Sequence, residues 1–187
     1  MIPASKDEDP QWTQELVSSL LVDVEVAEVL VITEGDALSF PLSSNEKVRK
    51  RQQSDPRGNK ASALNDGLAM SRSPYTIFID SDVVLRGDEI SITRQLLEEA
   101  NFVGAGYGKR SSFPLLSPTS GWFFGCKTSV FRDAGGWKGD GHTNEDVVTV
   151  RGLQRQGYRV VDGGFTVELR RGVRNPLLKL ASALFGR

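Results

Sequence analysis

Two rhythms of apolar residues alternate along the first hundred positions. Ile2-Pro3 ends a very short first strand, and a polar loop over Ala4–Pro10 follows. Trp12, Leu16, Val17, Leu20 and Leu21 then recur at helical spacing and predict an amphipathic helix. Val24–Ile32 (VEVAEVLVI) predicts the second strand, closed by Thr33-Glu34-Gly35-Asp36. From Ala37 to Gly58 the chain is polar, and its basic run (Lys47, Arg49, Lys50, Arg51) reads as a solvated face. Arg57-Gly58-Asn59-Lys60 leads into a helix bearing Ala61, Ala63, Leu64, Leu68 and Ala69. Tyr75–Asp82 (YTIFIDSD) is the sharpest strand signal, a short β-rich apolar run bounded by Ser73-Pro74. Its apolar character on both alternating sides predicts a strand covered on both faces. A helix over about 88–100 and a strand over Phe102–Tyr107 continue the alternation, which indicates an α/β domain with a mainly parallel sheet.

The second half has another texture. GAGYGKR, SSFPLLSPTS and GGWKGDG predict long loops over a site. Between them lie a strand at Trp122–Gly125, a short helix over Lys127–Ala134, a helix over Glu145–Gln156 and a strand over Tyr158–Val161. Asn175-Pro176 predicts the start of a last helix, with Leu177, Leu178, Ala181, Leu184 and Phe185 in one stripe. That stripe is expected to dock on the domain; contact with a membrane surface is the alternative. The chain is read as one domain over 1–187, divided at about residue 100 into two halves, with 175–187 as the terminal helix.

Charge adds little, since 23 Lys and Arg nearly balance 24 Asp and Glu, and no field favours nucleic acid. Cys126 is the single cysteine, so no internal disulfide forms. The first ten residues lack a secretory pattern and no run reaches membrane-spanning length, which predicts a cytoplasmic protein, at most peripheral at a membrane.

The chemistry is acidic and sits in two places. Asp80 and Asp82 follow the YTIFI strand with only Ser81 between them, and on extended backbone both carboxylates point to one side. Carboxylates at such a strand end suit a hard divalent cation that bridges to phosphate, although Asp-Ser-Asp also has the composition of an ordinary turn. Glu145-Asp146 opens a helix, where a carboxylate fits either a first-turn charge preference or a general base.

In order and spacing these pieces resemble glycosyltransferase family two, the inverting enzymes of the GT-A fold. The resemblance runs through IPASKDED, SLLVDVEVAEVLVITEG, RGNKASALNDGLAMSRSPYTIFIDSDVVL, GWFFGCKTSVFRDAGGW and NEDVVTVRGLQRQGYRV. It implies a Rossmann-like α/β domain with helices on both faces of the sheet, a nucleotide-sugar half before residue 100 and a loop-rich acceptor half after it. By resemblance, Asp80 and Asp82 hold Mn²⁺ or Mg²⁺ on the diphosphate of a UDP- or GDP-sugar. Pro3, Ala4, Glu8 and Glu34 line the nucleoside pocket; Arg57, Gly58, Lys60, Asn65 and Ser81 lie near base, ribose or phosphate. Asp146 is then the catalytic base toward a hydroxyl acceptor and Glu145 orients that acceptor, with Trp122, Gly125 and the loop around Trp137 walling its side.

Two features depart from the family pattern. The first strand is short, and the stretch Val167–Arg170 has no His where many members carry one. His142 is therefore a candidate further metal ligand, its alternative being a solvated loop residue, and Arg170, Arg171 and Arg174 are candidates for phosphate. With no Q-x-x-R-W motif, the chain does not resemble a processive synthase. A dehalogenase-type phosphatase places its D-x-D in the first strand, and a nucleotidyltransferase carries a Gly-rich N-terminal loop; neither pattern occurs here. A non-catalytic sugar-binding module and a retaining enzyme on the same fold are the remaining alternatives.

Overall fold

The computed structural model describes residues 1–5, 8–35, 42, 44–55, 58–106, 122–139 and 145–170, without the side chains of 105 and 106. Its strands are β1 (Ile2–Ala4), β2 (Val29–Thr33), β3 (Val48–Gln52), β4 (Tyr75–Ile79), β5 (Val83–Val84), β6 (Phe102–Gly106), β7 (Phe123–Lys127), β8 (Val160–Thr166) and β9 (Glu168–Leu169). The helices are α1 (Pro10–Leu21), α2 (Lys60–Met70), α3 (Glu89–Glu99), α4 (Thr128–Asp133) and α5 (Glu145–Arg155).

β1, β2 and β3 form a parallel block in the order β1-β2-β3, and β4-β7-β6-β8 form a second block. Met1 joins them: its nitrogen donates to the Ile77 carbonyl at 2.5 Å, and the Ile79 amide donates to the Met1 carbonyl at 2.9 Å. The first strand is thereby seated in the middle of the layer, between β2 and β4. The expected parallel character holds for β1/β2, β2/β3 and β6/β8, but β7 runs antiparallel to both β4 and β6. β5 and β9 add a small antiparallel pair beyond β4.

The central strands read as continuous apolar runs because both faces of the sheet are covered. Val29 and Val31 of β2 join Ile79, Phe123, Leu16, Val17, Leu20 and Ile90 on the side of α1 and α3. Leu30 and Ile32 join Phe78, Phe102, Phe124, Phe131 and Trp137 on the side of α2, α4 and α5. There the rings of Phe78, Phe124 and Phe131 meet the Trp137 indole at centroid distances of 5.2, 5.2 and 5.6 Å, mostly edge to face.

Two stretches differ from their expected form. The VEVAE part of the second strand is not in the sheet, because the Asp23 carboxylate accepts from the Glu25 amide at 2.8 Å and turns the chain. Val22 and Val24 are left 82% and 94% exposed, so their alternation with acidic residues marks no buried face. The basic run, by contrast, is a strand as well as a solvated face. β3 pairs in parallel with β2 along Val29–Thr33, and Lys50, Arg51 and Gln52 stand exposed along it. Charged side chains on a strand with a free side discourage further pairing. The helix expected over 175–187 lies outside the described residues.

Gly125 belongs to the core. A Cβ there would come within 2.4 Å of the Thr93 methyl, so α3 crosses the sheet closely at that point. It therefore packs beneath α3.

Candidate functional site

β4 ends at Ile79, and the Asp80 amide donates to the Trp122 carbonyl at 2.9 Å. The Val83 amide then returns to the Asp80 carbonyl at 3.1 Å, so Asp80-Ser81-Asp82-Val83 is a turn. This corrects the extended geometry expected for the acidic pair. Asp80 occupies the strand end and Asp82 the far side of the turn, where its carbonyl accepts from the Arg170 amide at 2.9 Å.

The turn is fastened to the loop after β1. The buried Ser81 hydroxyl donates to the Glu8 carboxylate, which also accepts from the Ser5 amide at 3.4 Å. The Ser5 hydroxyl donates to Glu34 at 3.0 Å, and the Glu34 amide donates to the Ala4 carbonyl at 2.9 Å. These contacts surround a cavity of about 230 Å³ lined by Pro3, Ala4, Glu8, Glu34, Gly58, Lys60, Asp80 and Ser81 together with Ser5, Ile32, Gln53, Asn59 and Ala63. Eight positions singled out in the sequence thus share one cavity. Gln53 was missed: it is buried, and its side-chain amide holds the Asp55 and Gly58 carbonyls at 2.7 and 3.2 Å. A lone Gln after a basic run carries no signal of that kind.

α2 presents Lys60 to the cavity. Asn59 caps the helix by accepting from the Ser62 amide at 3.0 Å, and its side-chain nitrogen donates to the Gly139 carbonyl at 3.3 Å. At the other end the Arg132 guanidinium donates to the Leu68 carbonyl at 3.0 and 2.7 Å and also to that of Ser71. Asn65 does not reach the cavity. Its oxygen accepts from the Trp137 amide at 2.8 Å and its nitrogen donates to the Trp137 carbonyl at 3.0 Å. Gly136, at φ +65°, makes this possible, since a Cβ there would stand 2.3 Å from the Asn65 oxygen. The next residue ties the same loop to α5: the Lys138 amide donates to the Thr149 hydroxyl at 2.9 Å.

Glu145 and Asp146 are therefore held against α2 through the loop at 135–139. The Lys60 ammonium lies 2.7 Å from either oxygen of Asp80 and 3.3 Å from Glu145. Asp146 is half-buried in the first turn of α5, and one of its oxygens accepts from the Val147 amide at 2.9 Å. Arg57 and His142 lie outside the described residues, as do Arg171 and Arg174. Arg170 is committed to Glu15 at 2.5 Å.

Burial pushes the Asp80 carboxyl up to about 6, with Lys60 opposing and the charges of Asp82 and Glu145 assisting. Burial works against the Lys60 ammonium, but Asp80 and Glu145 outweigh it and its proton is held more tightly than usual. Two carboxylates, Asp80 and Glu145, share the one Lys60 ammonium, which leaves an excess of negative charge. Among the described residues no group of three acidic, His or Cys side chains gathers as a metal cage. One or two carboxylates completed by substrate phosphate and water is how Mg²⁺ and its close relatives are commonly bound, so Asp80 and Asp82 fit that role. A metal held at Asp80 would compete with its proton, so Mn²⁺ affinity is expected to fall as pH drops through about 6. An ordinary carboxylate would hold out to about 4. Calorimetry at pH 7.5 and 5.5 measures the difference.

The layered sheet, with an acidic turn and a cavity at the end of its central strand, has the GT-A fold. The model of "Glycosyl transferase family 2" matches residues 4–157, and the chain belongs to that family. A mannosyltransferase of Pyrobaculum calidifontis, solved with GDP-Man and Mn²⁺, superposes with a TM-score of 0.71 at 16% identity over 91% of this chain. Glucosyl-3-phosphoglycerate synthase of Mycobacterium tuberculosis, solved with Mn²⁺, UDP and phosphoglyceric acid, superposes at 0.66 and 16% identity over 97% of it. The chain spans 57% of the first of these proteins and 72% of the second. No curated protein sequence matches this one. No described helix is long and apolar enough to cross a membrane.

Proposed function

We propose that this chain transfers a sugar from a nucleoside-diphosphate sugar to a hydroxyl acceptor, with inversion at the anomeric carbon. The observation that carries the reading is the meeting of the acidic turn, the cavity and the start of α5 at one side chain, Lys60. Pro3, Ala4, Glu8, Glu34 and Gly58 line the same cavity as Asp80, which supports a nucleoside at one end and the diphosphate near Asp80 and its neighbour Asp82. The two similar enzymes were solved with a GDP-sugar and with UDP, each beside Mn²⁺, which supports a nucleotide-sugar donor and a divalent cation here. Asp80 and Asp82 would hold Mn²⁺ or Mg²⁺, which would supply neutralisation of the negative charge that grows on the leaving diphosphate.

The chain's own residues do the rest. Asp146 takes the proton from the acceptor hydroxyl, whose oxygen bonds to the anomeric carbon as the bond to the diphosphate oxygen breaks. Attack on the face opposite the leaving group inverts the configuration. Glu145, anchored by Lys60, orients the acceptor beside that base. A thermal-shift screen of UDP- and GDP-sugars with and without Mn²⁺ tests the reading. At least one donor is expected to raise the melting temperature only when Mn²⁺ is present; stabilisation by none of them, with or without the cation, rejects it.

A further inference from the structure

We infer that Lys60 is an internal counter-cation that makes divalent-metal binding conditional on the nucleotide. The inference rests on the reading that Asp80 and Asp82 hold the metal. Three observations carry it. The Lys60 ammonium stands 2.7 Å from either oxygen of Asp80, on the carboxylate that a cation would occupy. The same ammonium reaches Glu145 at 3.3 Å, so it holds the acidic turn and the start of α5 together. The position is also enforced by the backbone, because Lys60 is the first residue of α2, fixed by the Asn59 cap and the Asn59–Gly139 contact.

A cation at a helix N-terminus faces the positive end of the dipole, so Lys60 is in place for its carboxylates and not for helix stability. With no ligand present, a divalent ion must displace the ammonium from Asp80 and leave it beside Glu145 alone. A nucleoside diphosphate changes that balance, since its phosphate oxygens offer the ammonium a new partner while adding ligands for the ion. Metal and nucleotide are therefore expected to bind with positive coupling, each raising the affinity of the other by the same factor. Lys60 is a positioning residue in this scheme, acting through Asp80 and Glu145.

The test measures Mn²⁺ binding by electron paramagnetic resonance, alone and with saturating UDP or GDP, in wild type, Lys60→Met, Lys60→Gln and Lys60→Arg. Removing the ammonium strengthens Asp80 toward a proton as well as toward a metal ion, so the titrations are run at about pH 8.5, where the proton competes least. An ammonium at ion-pair distance biases a carboxylate by about one to three pKa units, so at that pH both neutral variants are expected to bind Mn²⁺ alone about tenfold or more tightly than wild type. Their coupling to nucleotide should shrink by a similar factor, while Lys60→Arg keeps both values near wild type. Thermal melts select the neutral variants that remain folded, and either one suffices. A folded neutral variant that binds Mn²⁺ alone no more tightly than wild type overturns the inference. Should wild type itself bind no Mn²⁺ even with UDP and GDP, the metal-site reading and this inference fall together. Nucleotide-dependent Mn²⁺ binding in wild type with unchanged neutral variants removes only the role of Lys60.

Discussion

Asp146→Asn is expected to keep donor and metal affinity and to slow sugar transfer by about a hundredfold or more, the scale of a lost general base. The substitution is nearly isosteric, and the backbone of α5 is secured elsewhere, through Thr149 to Lys138 and through Glu145 to Lys60. The loss should therefore appear in kcat with little change in donor KM. Glu145→Gln should cost less if its task is orientation, because an amide can still accept a hydrogen bond. Transfer from the donor found in the screen, with product configuration read by NMR, decides the matter. Full activity in Asp146→Asn, or a product that retains the donor's configuration, rejects the inverting base.

Asp82→Ala should abolish Mn²⁺-dependent binding of nucleoside diphosphate while leaving the fold intact. Asp82 is half-buried at the far side of the turn, and its carbonyl bond from the Arg170 amide survives the loss of the side chain. On the proposed reading the cation would be left with Asp80 alone, which Lys60 already occupies. Calorimetry with UDP or GDP, with and without Mn²⁺, supplies the measurement, and circular dichroism confirms folding. Nucleotide binding that still responds to Mn²⁺ in this variant removes Asp82 from the metal site.

How much of this was legible in the sequence varied with the physics of each element. β4 announced itself because a strand covered on both faces needs apolar residues on both. α2 was readable from its small and apolar spacing, and the first-turn acids of α5 stood at a visible helix start. β3 was hidden because its exposed residues are charged, and a pattern of basic residues does not distinguish a strand from a loop. The turn at Asp80–Val83 was obscured by the strand before it, which invited an extended reading although Asp and Ser are common turn formers. Asn65 and Gly125 have structural roles that motif position does not reveal: one braces a loop and the other lets a helix approach the sheet. The ammonium shared by Asp80 and Glu145 joins residues far apart in the chain, and only the folded arrangement brings them together.

The central seat of the first strand has a consequence for how the chain acquires its shape. Met1 pairs with Ile77, 76 residues downstream, and β1 cannot be enclosed on both sides until β4 has been synthesised. Closing so long a loop costs conformational entropy before any contact repays it, which slows folding relative to a chain built from local pairings. As the polypeptide leaves the ribosome, α1 and the β2–β3 pair can begin to organise early, but the layer stays open along β1. Glu8 and Ser81, on opposite sides of that last seam, come together only when it closes. The cavity at the end of β4 therefore depends on both sides of that seam, because Glu8 lines it from one side and Ser81 from the other.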